Sequence, residues 1–257
     1  MNAGVWASTG PGFEEAPIRL LCFAHAGGGP LFYRPWRDPL LPEIGVLAAV
    51  LPGRETRVRE RPCERLDELL PPLFDALRPY ADRPFALFGH SLGAIVAYEM
   101  ARLFSESGTG PPLRLFVSGR RAPHLPARHA PRHTLTDGDF LGLLTQLGGT
   151  PPEILRQPGM AELFLPSLRA DFRMNETYDP APERPPLFCP VTALTGDADP
   201  EVTRDDIAAW SAVTCRDFRM RTFDGDHFYL KSAPPPVVSA IRTDLGLLDP
   251  APVGGAP

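Results

Sequence analysis

The sequence predicts an α/β protein with a mostly parallel central sheet. Short apolar segments with the character of buried strands alternate along the chain with segments of helical periodicity. Phe85 to Phe88 is the clearest strand, because it is large, apolar and uncharged and leads through a glycine-flanked turn into a helix-periodic run. Strands that are buried on both faces and connected by helices are typical of parallel sheets. A chain of 257 residues is long enough for one large domain of this kind with an insertion.

The order of the elements follows from apolar periodicity and capping residues. The predicted strands are residues 18–24, 45–51, 85–88, 113–117, 190–194 and 219–223. The main predicted helices are residues 66–77, 92–107, 140–147 and 160–172. Thr136 with Asp139 is expected to cap the helix that ends at Gly148, and Thr150 with Glu153 to cap another directly after it.

The turn after the strand at 85–88 has the spacing of a nucleophile elbow. Gly89 and Gly93 flank Ser91 in a G-x-S-x-G pattern, and a turn tight enough to expose a serine hydroxyl needs small residues on both sides. The alternative is a chance match, but the buried strand before and the core helix after favour the elbow. We therefore expect Ser91 to be a nucleophile, and we interpret His90 as a packing residue rather than as its base.

A glycine cluster after the first strand indicates the second half of an oxyanion hole. Gly27, Gly28 and Gly29 follow the strand that ends at Ala24, and such a loop lets backbone N–H groups point at a ligand. The expected donors are the backbone N–H groups of Ala26 and Leu92. A plain flexible turn is the alternative for the glycine cluster.

The strands after residue 187 supply an acid and a base. Asp197 is preferred over Asp199 as the acid, because it comes first after the strand and Gly196 permits the turn. His227 alone among the histidines lies downstream of that acid, which completes the order Ser, Asp, His. A serine activated by an imidazole indicates acyl transfer to water or to another nucleophile, and it calls for no cofactor and no metal.

The composition changes twice along the chain. Residues 1–17 and 249–257 lack periodicity and are predicted to be disordered tails. Residues 121–186 interrupt the strand-helix alternation with short amphipathic helices, so they are predicted to form a helical lid between the core segments 18–120 and 187–248. Ordinary packing helices of the core are the alternative.

The charge and the cysteines restrict the class of protein. A net charge of −5 gives no sign of nucleic-acid binding. The run from Arg54 to Arg61 is interpreted as a solvated surface, with a docking patch for an acidic partner as the alternative. The four cysteines are too dispersed for a metal or redox pair, and neither a signal peptide nor a membrane span is evident. We expect a cytoplasmic monomer.

Several longer stretches resemble one enzyme family from about Ile18 to Leu247. They are LLCFAHAGGGPLFYRPW, LPGRETRVRE, FALFGHSLGAIVAYEMAR, LFVSGRRAP, LGGTPPEIL, LPSLRADFRMNETY and GDHFYL. Together they are similar to the type II thioesterases that accompany polyketide and nonribosomal peptide synthetases, which have the α/β-hydrolase fold. The resemblance assigns the nucleophile, acid and base to Ser91, Asp197 and His227, and it assigns an oxyanion donor to Ala26.

This resemblance implies hydrolysis of acyl thioesters on the phosphopantetheine arm of an acyl or peptidyl carrier protein, which clears misprimed or stalled units. The sequence departs from the family at Asp226, where glycine is usual, and a carboxylate there could compete as the partner of His227. A product-releasing thioesterase or acyltransferase of the same fold is one alternative. A catalytically silent module that binds carrier proteins is another, although the complete set of Ser, Asp and His argues against it.

Overall fold

A seven-stranded sheet forms the centre of the protein. The computed structural model describes residues 5–149, 159–180, 184–231 and 234–247. Its strands are β1 (Ala7–Ser8), β2 (Ile18–Phe23), β3 (Ile44–Ala49), β4 (Phe85–His90), β5 (Leu115–Ser118), β6 (Val191–Gly196) and β7 (Phe218–Phe223). Their spatial order is β1-β3-β2-β4-β5-β6-β7, and all neighbours are parallel except β1 and β3. The predicted α/β fold with a mostly parallel sheet is confirmed.

The helices lie between these strands. Within the described residues they are α1 (Pro30–Tyr33), α2 (Arg37–Leu40), α3 (Leu66–Leu77), α4 (Leu92–Glu106), α5 (Asp137–Leu147), α6 (Met160–Glu176), α7 (Arg204–Ala208) and α8 (Pro235–Asp244). Helix α3 has the predicted bounds, and α5 begins as predicted because Thr136 Oγ1 accepts the Asp139 N–H. It ends at Gly148, whose φ of 73° is left-handed. The cap predicted at Thr150 and Glu153 lies outside the described residues.

Helices cover the sheet on both faces. On one face α3, α4 and α7 bury their apolar stripes against side chains such as Leu21, Leu47 and Leu87. On the other face α1, α2 and α8 pack against the alternate residues, such as Leu20 and Phe88. Burial on both faces explains why β2 to β6 are apolar with almost no alternation. None of the helices in the described part of the chain is long and apolar enough to cross a lipid bilayer.

The N-terminal segment corrects the prediction of a disordered tail at residues 1–17, because residues 5–17 are packed on the domain. Ala7 and Ser8 pair with β3, and the Trp6 carbonyl accepts the Val50 N–H. Phe13 is 2 % exposed, and the Arg57 guanidinium lies 3.8 Å from the centre of the Trp6 ring. An unpaired β3 would be an open sheet edge, and this segment covers it. The segment is held by isolated aromatic residues, which follow no periodicity. The sequence pattern therefore indicates neither a strand nor a helix there and does not reveal the packing.

The chain reverses direction across the sheet between β2 and β4. From β2 it passes to β3 on one side and then returns to β4 on the other. The carboxyl ends of two such strands border the crevice where α/β sheets bind ligands. The loop that contains Ala26 and the turn that contains Ser91 leave the sheet at these two ends, because Phe23 pairs with Gly89.

Helices α5 and α6 form a third apolar cluster of their own. Phe140 and Leu144 of α5 pack against Leu168 and Phe172 of α6, and Ala26 lies against this cluster. The helices of the segment 121–186 therefore have a small core in addition to those on the two sheet faces, and that core borders the loop after β2.

Candidate active site

The turn from β4 into α4 has the geometry of a nucleophile elbow. Ser91 has φ 54° and ψ −117°, a conformation that costs a residue with a side chain on the order of 1–3 kcal/mol. A Cβ on Gly89 would lie 2.0 Å from the Gly93 carbonyl oxygen, and one on Gly93 would lie 2.0 Å from the Phe23 oxygen. Both glycines are therefore required by close backbone packing. The Leu92 N–H is the first of helix α4, so it has no acceptor within that helix.

His90 and His25 are buried next to the two turns. The His90 Nδ1 lies 3.0 Å from Ser118 Oγ, and its ring centre lies 4.9 Å from that of His227. Burial, followed by the charges of His227 and His25, lowers the pKa of His90 well below its ordinary value. Burial likewise lowers the pKa of His25 to about 3, with His227 as the second cause. Both imidazoles are neutral at pH 7, and the complete burial of His90 agrees with its interpretation as a packing residue.

The loop after β2 is held by two side chains from distant parts of the chain. The Gly27 N–H donates to Asp171 Oδ2 at 2.7 Å, and the Gly28 carbonyl accepts a hydrogen bond from Arg54 Nη1 at 3.0 Å. Arg54 Nη2 and Asp171 Oδ1, 2.7 Å apart, close the arrangement as a buried ion pair. Because Asp171 belongs to α6, these bonds attach the backbone that directly follows Ala26 to the helices of segment 121–186.

His227 lies beyond β7 and is paired with a carboxylate. Its Nδ1 is 2.8 Å from Asp199 Oδ2, and the Asp199 side chain is completely buried. The other oxygen, Asp199 Oδ1, accepts the Glu201 N–H at 2.8 Å. A carboxylate on Nδ1 selects the tautomer with the proton there, which leaves Nε2 free to accept a proton.

The prediction that Asp197 pairs with His227 is wrong, because Asp199 occupies that position. Asp197 is exposed and its Oδ1 accepts the Gly225 N–H at 2.9 Å. The pairing of β6 with β7 continues beyond Gly196, since Asp197 N–H donates to Phe223 and Ala198 N–H donates to Gly225. Asp199 is therefore the first acidic residue beyond the paired backbone. Counting residues from the end of the apolar run cannot reveal this extension.

Asp226 does not act as a second partner of His227 in the described structure. The Asp226 side chain is exposed, and its Oδ1 accepts the Phe228 N–H at 2.8 Å. This bond fixes the start of the turn that carries His227 and Phe228. The departure from the family pattern thus places a capping carboxylate beside the histidine.

A cavity of about 170 Å³ joins these groups. Its lining includes Ser91 and His227 together with Ala26 and Leu92. Apolar side chains of α5 and α6 form part of its wall, namely Leu144, Leu147, Leu168 and Phe172. Since one water needs about 10–15 Å³ in this measure, the space is large enough for a short acyl chain. The structure thus brings together every predicted site residue except Asp197.

The arginine run is only partly a solvated surface, so that interpretation is wrong for Arg54 and Arg57. Both are 6 % exposed, whereas Arg59 and Arg61 are exposed. The Arg57 guanidinium bonds the Val50 carbonyl and Glu60. A signal for the buried partner of Arg54 existed in the sequence, because Asp171 falls on the apolar stripe of α6 one turn after Leu168. A carboxylate on such a stripe indicates a buried cation.

The sheet order, the elbow and the buried Asp–His pair at the carboxyl edge define the α/β-hydrolase class. Residues 18–245 match the thioesterase domain family model. The chain therefore belongs to the thioesterase domain family, and it is a thioesterase.

Individual relatives match over most of their length. The chain is 40% identical over 234 residues to linear gramicidin dehydrogenase LgrE of Brevibacillus parabrevis, with 90% of this chain and 89% of the relative covered. It is 39% identical over 236 residues to thioesterase PikA5 of Streptomyces venezuelae, with 90% and 82% covered. Among solved structures, the type II thioesterase BorB from the borrelidin biosynthetic cluster is 40% identical, with a TM-score of 0.85 and 94% and 98% covered.

Proposed function

We propose that Ser91, His227 and Asp199 form the catalytic triad of this thioesterase. The observation that carries the proposal is the buried Asp199–His227 pair, which borders the same cavity as a serine on a strained elbow. In this proposal Asp199 replaces Asp197 of the sequence prediction. The backbone N–H groups of Ala26 and Leu92 form the oxyanion hole.

The proposed reaction proceeds in two acyl transfers. His227 Nε2 takes the Ser91 proton while Oγ bonds to the thioester carbonyl carbon, and the carbon–sulfur bond breaks as the thiolate takes that proton. Water, deprotonated by the same imidazole, then attacks the acyl carbon, and the bond to Ser91 Oγ breaks as Oγ takes the proton from His227, which releases the acid. In both steps the negative charge on the carbonyl oxygen is stabilised by the two backbone N–H groups.

We propose acyl thioesters on the phosphopantetheine arm of a carrier protein as the substrates, with editing of misprimed or stalled units as the role. The support is the 40% identity to BorB, a type II thioesterase from a biosynthetic cluster. Segment 121–186 would be the lid that admits the arm, because α5 and α6 supply the apolar wall of the cavity. A monomer in the cytoplasm completes the proposal, consistent with four free thiols.

The dehydrogenase name of LgrE does not favour a second function for this chain. A dinucleotide fold of that kind has G-x-G-x-x-G in the turn after its first strand. Here the turn after β2 contains Gly27 and Gly29, but Phe32 occupies the third glycine position. That position also lies within helix α1, where the Phe32 ring packs 4.7 Å from His25.

The test is release of free thiol from acetyl- and longer acyl-loaded carrier protein, beside the same acyl groups on a small thiol. We expect fast hydrolysis with a strong preference for the carrier-bound forms. Hydrolysis of small thioesters and esters without that preference would leave the triad in place and contradict the carrier as substrate. A folded protein that no serine-reactive phosphonate labels would support the silent binding module instead.

A further inference from the structure

Four arginines that follow β5 line the active-site cavity: Arg120, Arg121, Arg128 and Arg132. Three of them have an ion pair with a carboxylate. Arg128 Nη2 lies 2.5 Å from Asp206 Oδ2, and Arg132 Nη1 lies 2.8 Å from Glu201 Oε2. Arg121 Nη2 forms a longer ion pair with Asp206 Oδ1, at 3.6 Å, and its buried Nε and Nη1 have no hydrogen-bond partner among the described residues.

Arg120 differs from its neighbours because no carboxylate in the described part of the chain is paired with it. Across the described residues its guanidinium makes neither a hydrogen bond nor an ion pair, and its Nε is buried. Glu201 and Glu176 act on it only from a distance. Burial lowers the pKa of Arg120 to about 10, followed by the charge of Arg121, so the side chain is still a cation at neutral pH. Two adjacent guanidinium groups therefore face the cavity with unused donors.

This arrangement carries a cost that a purely structural role does not explain. Both side chains are half-buried, and each buries N–H donors that have no acceptor among the described residues, which costs free energy. The backbone that carries Arg120 also passes close to the reaction centre. A Cβ on the preceding residue, Gly119, would lie 3.1 Å from His227 Cε1. The residue before Arg120 is therefore packed against the proposed base. An anion bound in the cavity would satisfy both arginines.

We propose that Arg120, with Arg121 beside it, binds an anionic group of the substrate, so that the cavity accepts acyl thioesters that carry a carboxylate near the carbonyl carbon. The inference rests on the proposed thioester hydrolysis and names a substrate class for it. Oxygen anions of the same kind occur in the phosphate of a phosphopantetheine arm. The acyl carboxylate is favoured, because it is a few bonds from the thioester and Arg120 lines the same cavity as His227, directly after a residue that packs on the His227 ring.

The experiment compares two pairs of small substrates. The first pair is malonyl and butanoyl thioesters of N-acetylcysteamine, which differ in the acyl carboxylate and contain no phosphate. The second pair is butanoyl thioesters of pantetheine and of phosphopantetheine, which differ only in the phosphate. For each pair the ratio of kcat/KM is measured in the wild type, in Arg120→Gln and in Arg120→Lys.

We expect Arg120→Gln to lower the malonyl-to-butanoyl ratio by about ten- to a hundredfold, the usual effect of losing a charge-assisted hydrogen bond. Arg120→Lys should retain much of the ratio because it keeps the charge. Arg65→Gln is the control, since it removes an exposed cation that is paired with Asp67 and does not line the cavity, and its ratio should stay near that of the wild type.

The outcomes distinguish an acyl carboxylate, a phosphate and a purely structural role of Arg120. A loss in the first pair identifies the acyl carboxylate as the anion, a loss in the second pair identifies the phosphate, and either supports anion binding. Unchanged ratios in both pairs would overturn the inference while thioester hydrolysis stands. A structural role would lower the unfolding midpoint of Arg120→Gln and reduce both members of each pair equally, which would also overturn it. Absence of hydrolysis of every thioester by the wild type would instead refute the proposed function.

Discussion

The elbow after β4 and the loop after β2 perform parallel tasks but are stabilised differently. Each follows a parallel strand, lies beside a buried neutral histidine, and contributes one residue, Leu92 or Ala26, to the cavity lining. The elbow is fixed by backbone packing among residues 89–93 and the end of β2. The loop is fixed by Arg54 and Asp171, which are 26 and 144 residues away from the glycines that they bond.

This difference separates a local constraint from a long-range one. Among the described residues, the backbone contacts that fix Ser91 and Leu92 lie within the sheet and α4. The Ala26 N–H, in contrast, depends on a carboxylate carried by α6, whose apolar side chains also line the cavity. A movement of the helices in segment 121–186 would therefore disturb the loop before it disturbed the elbow.

The largest effect on activity is expected from a substitution in the elbow, which is fixed by local packing. Ser91→Ala should reduce thioester hydrolysis by roughly a million-fold, as in comparable triads, because the nucleophile is lost. The fold should be unaltered, and the unfolding midpoint should stay equal to or above that of the wild type, since alanine introduces no bulk. The measurement is single-turnover release of thiol beside thermal unfolding. Substantial turnover by the folded variant would refute the nucleophile assignment.

The second effect tests the acid that the structure assigns. Asp199→Asn should lower kcat by about ten-thousandfold, because an amide on Nδ1 favours the wrong tautomer of His227. Asp197→Asn is the matched control, and its effect should be far smaller because the amide oxygen still accepts the Gly225 N–H. Steady-state kinetics of the two variants decide the point. Equal losses, or a larger loss for Asp197→Asn, would restore the sequence prediction.

The same contrast explains what the sequence could predict. The elbow was predictable because strand, glycines, serine and helix are consecutive and each obeys a local rule. The identity of His227 followed from chain order. The choice between Asp197 and Asp199 depended on where the β6–β7 pairing ends, and the partners of Arg54 depended on a contact across 117 residues. Such properties arise from tertiary packing, which periodicity and propensity do not contain.

A smaller effect is expected from the loop with its distant anchors. Asp171→Asn leaves an acceptor for the Gly27 N–H but removes the charge opposite Arg54, so the loop should hold the Ala26 N–H less well. We expect kcat to fall by about ten- to a hundredfold with little change in KM, below the hundred- to thousandfold ceiling for complete loss of an oxyanion donor. Kinetics on the folded fraction, quantified by phosphonate labelling, provides the measurement.

Asp137→Asn is the control for this variant, because Asp137 is an exposed carboxylate whose partner, Arg169, belongs to the same helix as Asp171. It should leave kcat unchanged. The Asp171 variant should also be less stable, since it leaves a buried guanidinium without its ion pair. If Asp171→Asn lowers stability but keeps the full kcat of the folded fraction, the carboxylate supports the fold alone and does not position the loop.

The smallest effect concerns the histidine of the loop and appears as a pH dependence of stability. The pKa of His25 is about 3 in the folded protein and about 6.5 when unfolded, so the unfolded chain binds the proton first as the pH falls. The contribution of His25 is complete above pH 6.5 and is lost as the pH falls from there towards 3. At pH 5 the loss amounts to about 2 kcal/mol of unfolding free energy.

His25→Phe should remove this part of the acid sensitivity, because the ring lies among Phe32, Phe228 and His90 and its buried Nδ1 has no hydrogen bond to any described residue. Urea unfolding at pH 7.5 and pH 5 measures the difference for the wild type and the variant. The variant should lose about 2 kcal/mol less than the wild type between the two values. The remaining sensitivity should include that of His90 at the elbow, so equal losses in both proteins would show that His25 is not held neutral in the loop.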